Sequence, residues 1–152
     1  MLPGGKLYVP GAEKRIPNMK RLTDAARRGR VLLIGDACMH TLDDPEFKRF
    51  PPHCIRGTPG AEIIPETHAN KVLSIPNRRD AAVPRDLSEF QQIILEKETL
   101  DVFDNPNTEA VLKLIAGFTD ADAEFFIFGV ATEYCVRLAA KGLLERAGEW
   151  RS

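Results

Sequence analysis

Nothing in this 152-residue chain approaches the roughly 20 uninterrupted apolar residues that span a bilayer, and its N-terminus lacks the basic-then-apolar layout of a secretory leader. Cysteine is scarce. Three residues at irregular spacing, an odd number, make no disulfide framework, which fits a reducing compartment and a cytoplasmic protein. An excess of either charge is also lacking: 21 basic against 22 acidic side chains leave a net charge of −1, too little to attract nucleic acid or an anionic membrane. The short basic clusters at 20–21 and 27–30 read as a solvated helix face. Repeats and low-complexity segments are missing, and GTPG at 57–60 lacks the strand-before, helix-after context of a phosphate loop.

What the chain does have is material for one domain: 43% hydrophobic and 28% charged residues over a length that can close a core. Ile16, Met19, Leu22 and Ala26 recur at helical spacing, Gly29 ends that helix, and the apolar run at 31–34 follows as a buried strand. From 36 to 70 periodicity disappears and Pro, Gly, His and Asp dominate, as in a functional loop. Further strands are expected at 72–75, 92–96 and 125–130, with a helix over about 108–118. Apolar strands alternating with helices imply a three-layer α/β/α fold on a mainly parallel sheet, with ligands beyond the carboxyl ends of the strands. One domain should cover 1–152.

Residues 124–148, EFFIFGVATEYCVRLAAKGLLERAG, run from an apolar strand through a tight corner into an amphipathic helix whose first turn holds Cys135. Unpaired N–H groups and the positive end of the helix dipole there favour a thiolate and can receive an oxyanion. A small apolar side chain at a strand–helix junction is the bland alternative.

The wording G-V-A-T-E-Y-C-V at 129–136 resembles the nucleophile signature of the isochorismatase-like cysteine hydrolases, the nicotinamidase branch in particular. LPGGKLYVPGAE at 2–13, PPHCIRGTPGAE at 51–62 and KETLDVF at 97–103 are similar to other stretches of that family, in the same order. The resemblance implies hydrolysis of a small-molecule amide through a thioester, nicotinamide to nicotinate plus ammonia being the reference reaction, with no nucleic-acid or membrane partner and with homo-oligomerisation left open. It implies Cys135 as nucleophile, Lys97 beside it, an oxyanion hole from the backbone N–H groups of Ala131 and Cys135, and a cis peptide between Val130 and Ala131. Phe50 falls where the nicotinamidase pattern stacks an aromatic on the substrate. That pattern also has an Asp-x-His pair and a later His that bind a divalent metal such as zinc. His40 and His53 match its histidines, and Cys38 stands where the aspartate belongs, a set that still suits zinc.

The family's first strand, which ends in a proton-handling aspartate, has no counterpart, and the chain stops soon after the nucleophile helix. A fragment truncated at both ends is therefore expected, with little activity and poor solubility by itself. Glu96, Asp101 and Glu133 are candidate carboxylates by proximity; an active chain would need another group such as Asp36 or Glu133 in the role. Two alternatives come from other classes: an impaired remnant serving as a binding or oligomerisation module, and a small zinc domain on Cys38, His40, His53 and Cys54, whose spacing fits no common finger.

Overall fold

Gly29 supplies the left-handed residue (φ 67°) that stops the first helix, α1 (Ile16–Arg27), by returning its N–H to Ala26 O at 2.9 Å. The computed structural model describes residues 2–117 and 124–147. Met19, Thr23 and Ala26 form the buried stripe of α1, and the chain then turns into β1 (Leu33–Cys38). After a long loop come β2 (Val72–Ile75) and β3 (Gln92–Lys97), followed by α2 (Thr108–Ala116) and α3 (Arg137–Arg146).

The three strands are parallel in the order β1-β3-β2, with Leu33 opposite Gln92, Cys38 opposite Lys97, and Val72 also opposite Gln92. All six residues of β3 are buried, as a middle strand covered on both faces must be. Ile93 and Leu95 pack with Ile75, Leu87 and Val111, and Leu114 and Ile115 of α2 lean on that cluster. Asn105 fixes the strand ends from above: its Nδ2 donates to Glu96 O at 2.8 Å and to Ile75 O at 3.3 Å. This parallel α/β fold is the one expected. β1 is displaced relative to the apolar run 31–34, beginning at Leu33 and continuing through Asp36 to Cys38, because pairing with β3 carries it past the end of the apolar stretch.

Residues 125–130 correct an expectation. They form no strand, and Phe126 stands 75% exposed with Phe125, Ile127 and Phe128 about half as much. A strand needs a ladder, and among the described residues the strand partner of β1 is β3. Beyond Gly129 the chain follows the expected corner. The Val130–Ala131 peptide is cis, a π-helical turn spans Thr132–Val136, and α3 begins at Arg137.

Candidate active site

Alternation along β1 puts Asp36 and Cys38 on one face, and the register sets Cys38 directly beside Lys97 at the carboxyl end of β3. The Lys97 ammonium is fully buried. It donates to Cys38 Sγ at 3.3 Å, to Cys135 Sγ at 3.4 Å and to Thr99 O at 3.0 Å, and it lies 3.4 Å from Asp36 Oδ1. Burial alone would strip its proton, but the negative ends of Asp36, Cys38 and Cys135 outweigh that cost and hold it above the ordinary lysine range. A carboxylate, an ammonium and a thiol from three separate segments thus meet at one point.

Cys135 reaches this point from the π-helical turn, where the backbone departs from helical geometry at Tyr134 (φ −116°, ψ −105°). Its thiol is not poised as the helix-terminus argument implies. Burial pushes its pKa up, the Lys97 charge pulls it down, and Asp36 and Cys38 push it up again, with a net rise. A thiol held above its ordinary range calls for a base. Among the carboxylates near in sequence, Glu96 is engaged by Arg56 at 2.8 Å, Asp101 accepts from Phe103 N at 2.9 Å, and Glu133 is exposed. Asp36 is the carboxylate at the lysine.

The histidines form a second group. His40 and His53 stack edge to face with centroids 4.6 Å apart, and Glu46 lies 3.7 Å from His53 Nε2. One ligand atom from each of His40, Glu46 and His53 falls within 4.8 Å of the others. The Nδ1 atoms are taken: Asp44 Oδ2 holds that of His40 at 2.9 Å, and Pro51 O holds that of His53 at 2.9 Å. His40 Nε2 is buried with no hydrogen-bond partner. Acceptors holding Nδ1, with Nε2 turned toward the other donors of the group, is the arrangement of metal-binding histidines, and a His₂Glu set suits zinc. Cys38, expected in this set, turns to Lys97 instead, and Glu46 stands as the third donor. Sequence reasoning missed Glu46; its spacing, six residues after His40 and seven before His53 in a short 3₁₀ turn, was the available signal.

Phe50 lies between the two groups, 6.4 Å from the His53 ring and 6.3 Å from the Tyr134 ring, edge to face with both. The thiols of Cys38 and Cys54 influence each other's titration, Cys54 being lowered to about 7 and Cys38 raised.

Neither a family model nor a curated protein sequence matches the chain. Solved structures do. An isochorismatase-like hydrolase from Alkaliphilus metalliredigens aligns at TM-score 0.70 and 24% identity, covering 97% of this chain and 69% of that one. The fold is that of the isochorismatase-like hydrolases. N-carbamoylsarcosine amidase from Thermoplasma acidophilum aligns at TM-score 0.68 and 23% identity, over 95% of this chain and 69% of its own. A pyrazinamidase of Pyrococcus horikoshii, solved in complex with zinc, aligns at 0.67 and 25% identity, over 95% and 72%. With this isochorismatase-like fold, Lys97 ends β3 and Cys135 meets it at the carboxyl side of the sheet, where open parallel sheets bind ligands.

Proposed function

We propose that the chain is a cysteine hydrolase of small-molecule amides, nicotinamidase-like in taking a pyridine carboxamide to the acid and ammonia. The observation that carries this reading is the meeting of Asp36, Lys97 and Cys135. Asp36 takes the proton from the Cys135 thiol while Lys97 steadies the sulfur as its charge develops, and the thiolate attacks the amide carbon. The backbone N–H groups of Ala131 and Cys135 receive the oxyanion. Protonated Asp36 then gives its proton to the departing amine, leaving a thioester. A water, deprotonated by Asp36, attacks that carbonyl, the carbon–sulfur bond breaks, and the acid leaves as Cys135 recovers its proton.

Phe50 offers an aromatic edge or face to the ring of the substrate. His40, Glu46 and His53 would hold a zinc ion, and a bound zinc would supply a Lewis acid for a heteroaromatic nitrogen. That the Pyrococcus pyrazinamidase of similar fold was solved in complex with zinc supports a metal in this reading.

Incubating the reduced, zinc-supplemented chain with nicotinamide, pyrazinamide and N-carbamoylsarcosine, and following ammonia release, tests the reading. With Asp36 in the proton-handling role, turnover of the two ring amides, and none after Cys135→Ala, is expected. Equal turnover in Cys135→Ala would overturn the mechanism, and preference for the carbamoyl substrate would overturn the ring-amide assignment.

A further inference from the structure

His40 and Glu46 come from a long loop, and a metal needs their donor atoms at one point. Side chains that must be ordered when the ion arrives bind it weakly, so something has to hold them beforehand. One residue touches both. Asp44 caps the 3₁₀ turn Pro45–Lys48 that carries Glu46: its Oδ1 accepts from Glu46 N at 2.8 Å, while its Oδ2 meets His40 Nδ1 at 2.9 Å. Pro45, first in the turn, has no N–H to compete for that carboxylate. The Asp44 side chain is only 7% exposed, and the His40 ring is wholly buried. Asp44 O also accepts from Phe47 N at 3.1 Å, and the Phe47 ring lies beside both histidines, 5.4 Å from His40 and 5.7 Å from His53 between centroids. His53 is held differently, by the main-chain oxygen of Pro51.

An ionised carboxylate accepts hydrogen bonds and cannot donate them. The Asp44 contact therefore puts the imidazole proton on Nδ1 and leaves the lone pair of the neutral ring on Nε2, the atom that is buried without a hydrogen-bond partner. A buried nitrogen left in that state is a cost that a bound metal removes. Glu46 gains in a different way: the hydrogen bond to its N–H fixes the backbone from which its carboxylate reaches His53 Nε2 at 3.7 Å.

We infer that Asp44 is the positioning residue of the divalent-metal group, setting the tautomer of His40 with one carboxylate oxygen and the backbone that presents Glu46 with the other. It acts through two of the donors and is not one of the three. The inference rests on the metal reading of His40, Glu46 and His53 and is independent of the hydrolytic steps. Asparagine at this position has a single acceptor oxygen for two N–H groups. Keeping Glu46 N on that oxygen turns the amide NH₂ toward His40 Nδ1, which must then accept, and the ring proton moves to Nε2, where the metal needs a lone pair. Serine keeps the cap on Glu46 N but is too short to reach the ring.

Titrating the reduced full-length chain with cobalt(II), followed by its visible absorption, and recording ¹⁵N spectra of the metal-free histidine rings test the inference. The parent should bind cobalt and carry the His40 proton on Nδ1. In Asp44→Asn the proton should move to Nε2 and cobalt affinity should fall by about 10- to 100-fold. Asp44→Ser should also bind cobalt more weakly, at the urea midpoint of the parent, which separates metal assembly from fold stability. Equal cobalt affinity in parent and Asp44→Asn, a His40 proton on Nε2 in the parent, or a lowered urea midpoint in Asp44→Ser with affinity intact would each overturn the role of Asp44 while leaving the metal reading standing. A parent chain that binds no cobalt would overturn the metal reading and this inference with it.

Discussion

At Cys135 two neighbours of opposite charge pull in opposite directions, and single substitutions separate them. Lys97 lowers the thiol and Asp36 raises it, on top of a burial effect that raises it most. Lys97→Met should therefore push the thiol further up, and Asp36→Asn should bring it down. A thiol with a raised pKa is less ionised at any pH below that value, so alkylation of Cys135 by iodoacetamide at pH 7 should slow in Lys97→Met and quicken in Asp36→Asn. Hydrolysis should fall in both. Loss of general acid–base help in Asp36→Asn is expected to cost about 10²- to 10⁴-fold in turnover. Faster alkylation with slower turnover would be hard to obtain from a merely structural aspartate, whereas unchanged turnover in Asp36→Asn would remove it from the mechanism. In the parent protein, the alkylation rate should keep rising with pH beyond the usual thiol range near 8.5, because the folded thiol ionises later than a free one.

Among the elements, α3 is the one whose position the proposed nucleophile, Cys135, inherits. Gly142, buried in its middle, faces the ring of Phe103, and an added Cβ would collide with that ring's edge. Arg146, one turn on, lays its guanidinium 4.2 Å over the same ring. Gly142→Ala should destabilise the fold by about 1 to 3 kcal/mol, as overpacking does, and should displace α3 and the turn holding Cys135. A denaturant midpoint shift together with lost activity checks this; a midpoint shift with full activity would mean that the turn is positioned by something other than α3. The motif at 97–103 already joined Lys97 to Phe103 in the sequence, although the glycine that receives Phe103 lies some 40 residues further on and could not be paired with it. The same distance in sequence explains what else was and was not legible. α1, β2, β3 and α2 follow from periodicity because each element's own residues decide its burial. The strand reading of 125–130 failed because a ladder depends on a neighbour, which no window of sequence contains. Asp36 lay in plain view just past an apolar run, two residues before Cys38, and its meaning came only when the register set that face beside Lys97.

For the molecule as a whole, no helix of the described residues is long or apolar enough to cross a membrane. Its outer surface is uneven, however. Phe125, Phe126, Ile127 and Phe128 are all exposed, beside a sheet whose β1 edge has one partner among the described residues. Such a surface should bind a dye such as anilinonaphthalene sulfonate in the native state and drive association as concentration rises. Light scattering flat with concentration, together with no dye fluorescence, would show that the patch is covered in solution. The middle strand has a different consequence. Lys97 closes a strand paired on both sides and buried at every residue, whereas Cys135 rides on a turn and a helix that lean mainly on the short stretch at 102–104. The two halves of the proposed catalytic pair therefore belong to parts of unequal endurance. Amides of β3 should be among the last to exchange with deuterium, those of 132–146 among the first, and a rising dose of urea should silence the protein while the sheet still gives its native circular dichroism.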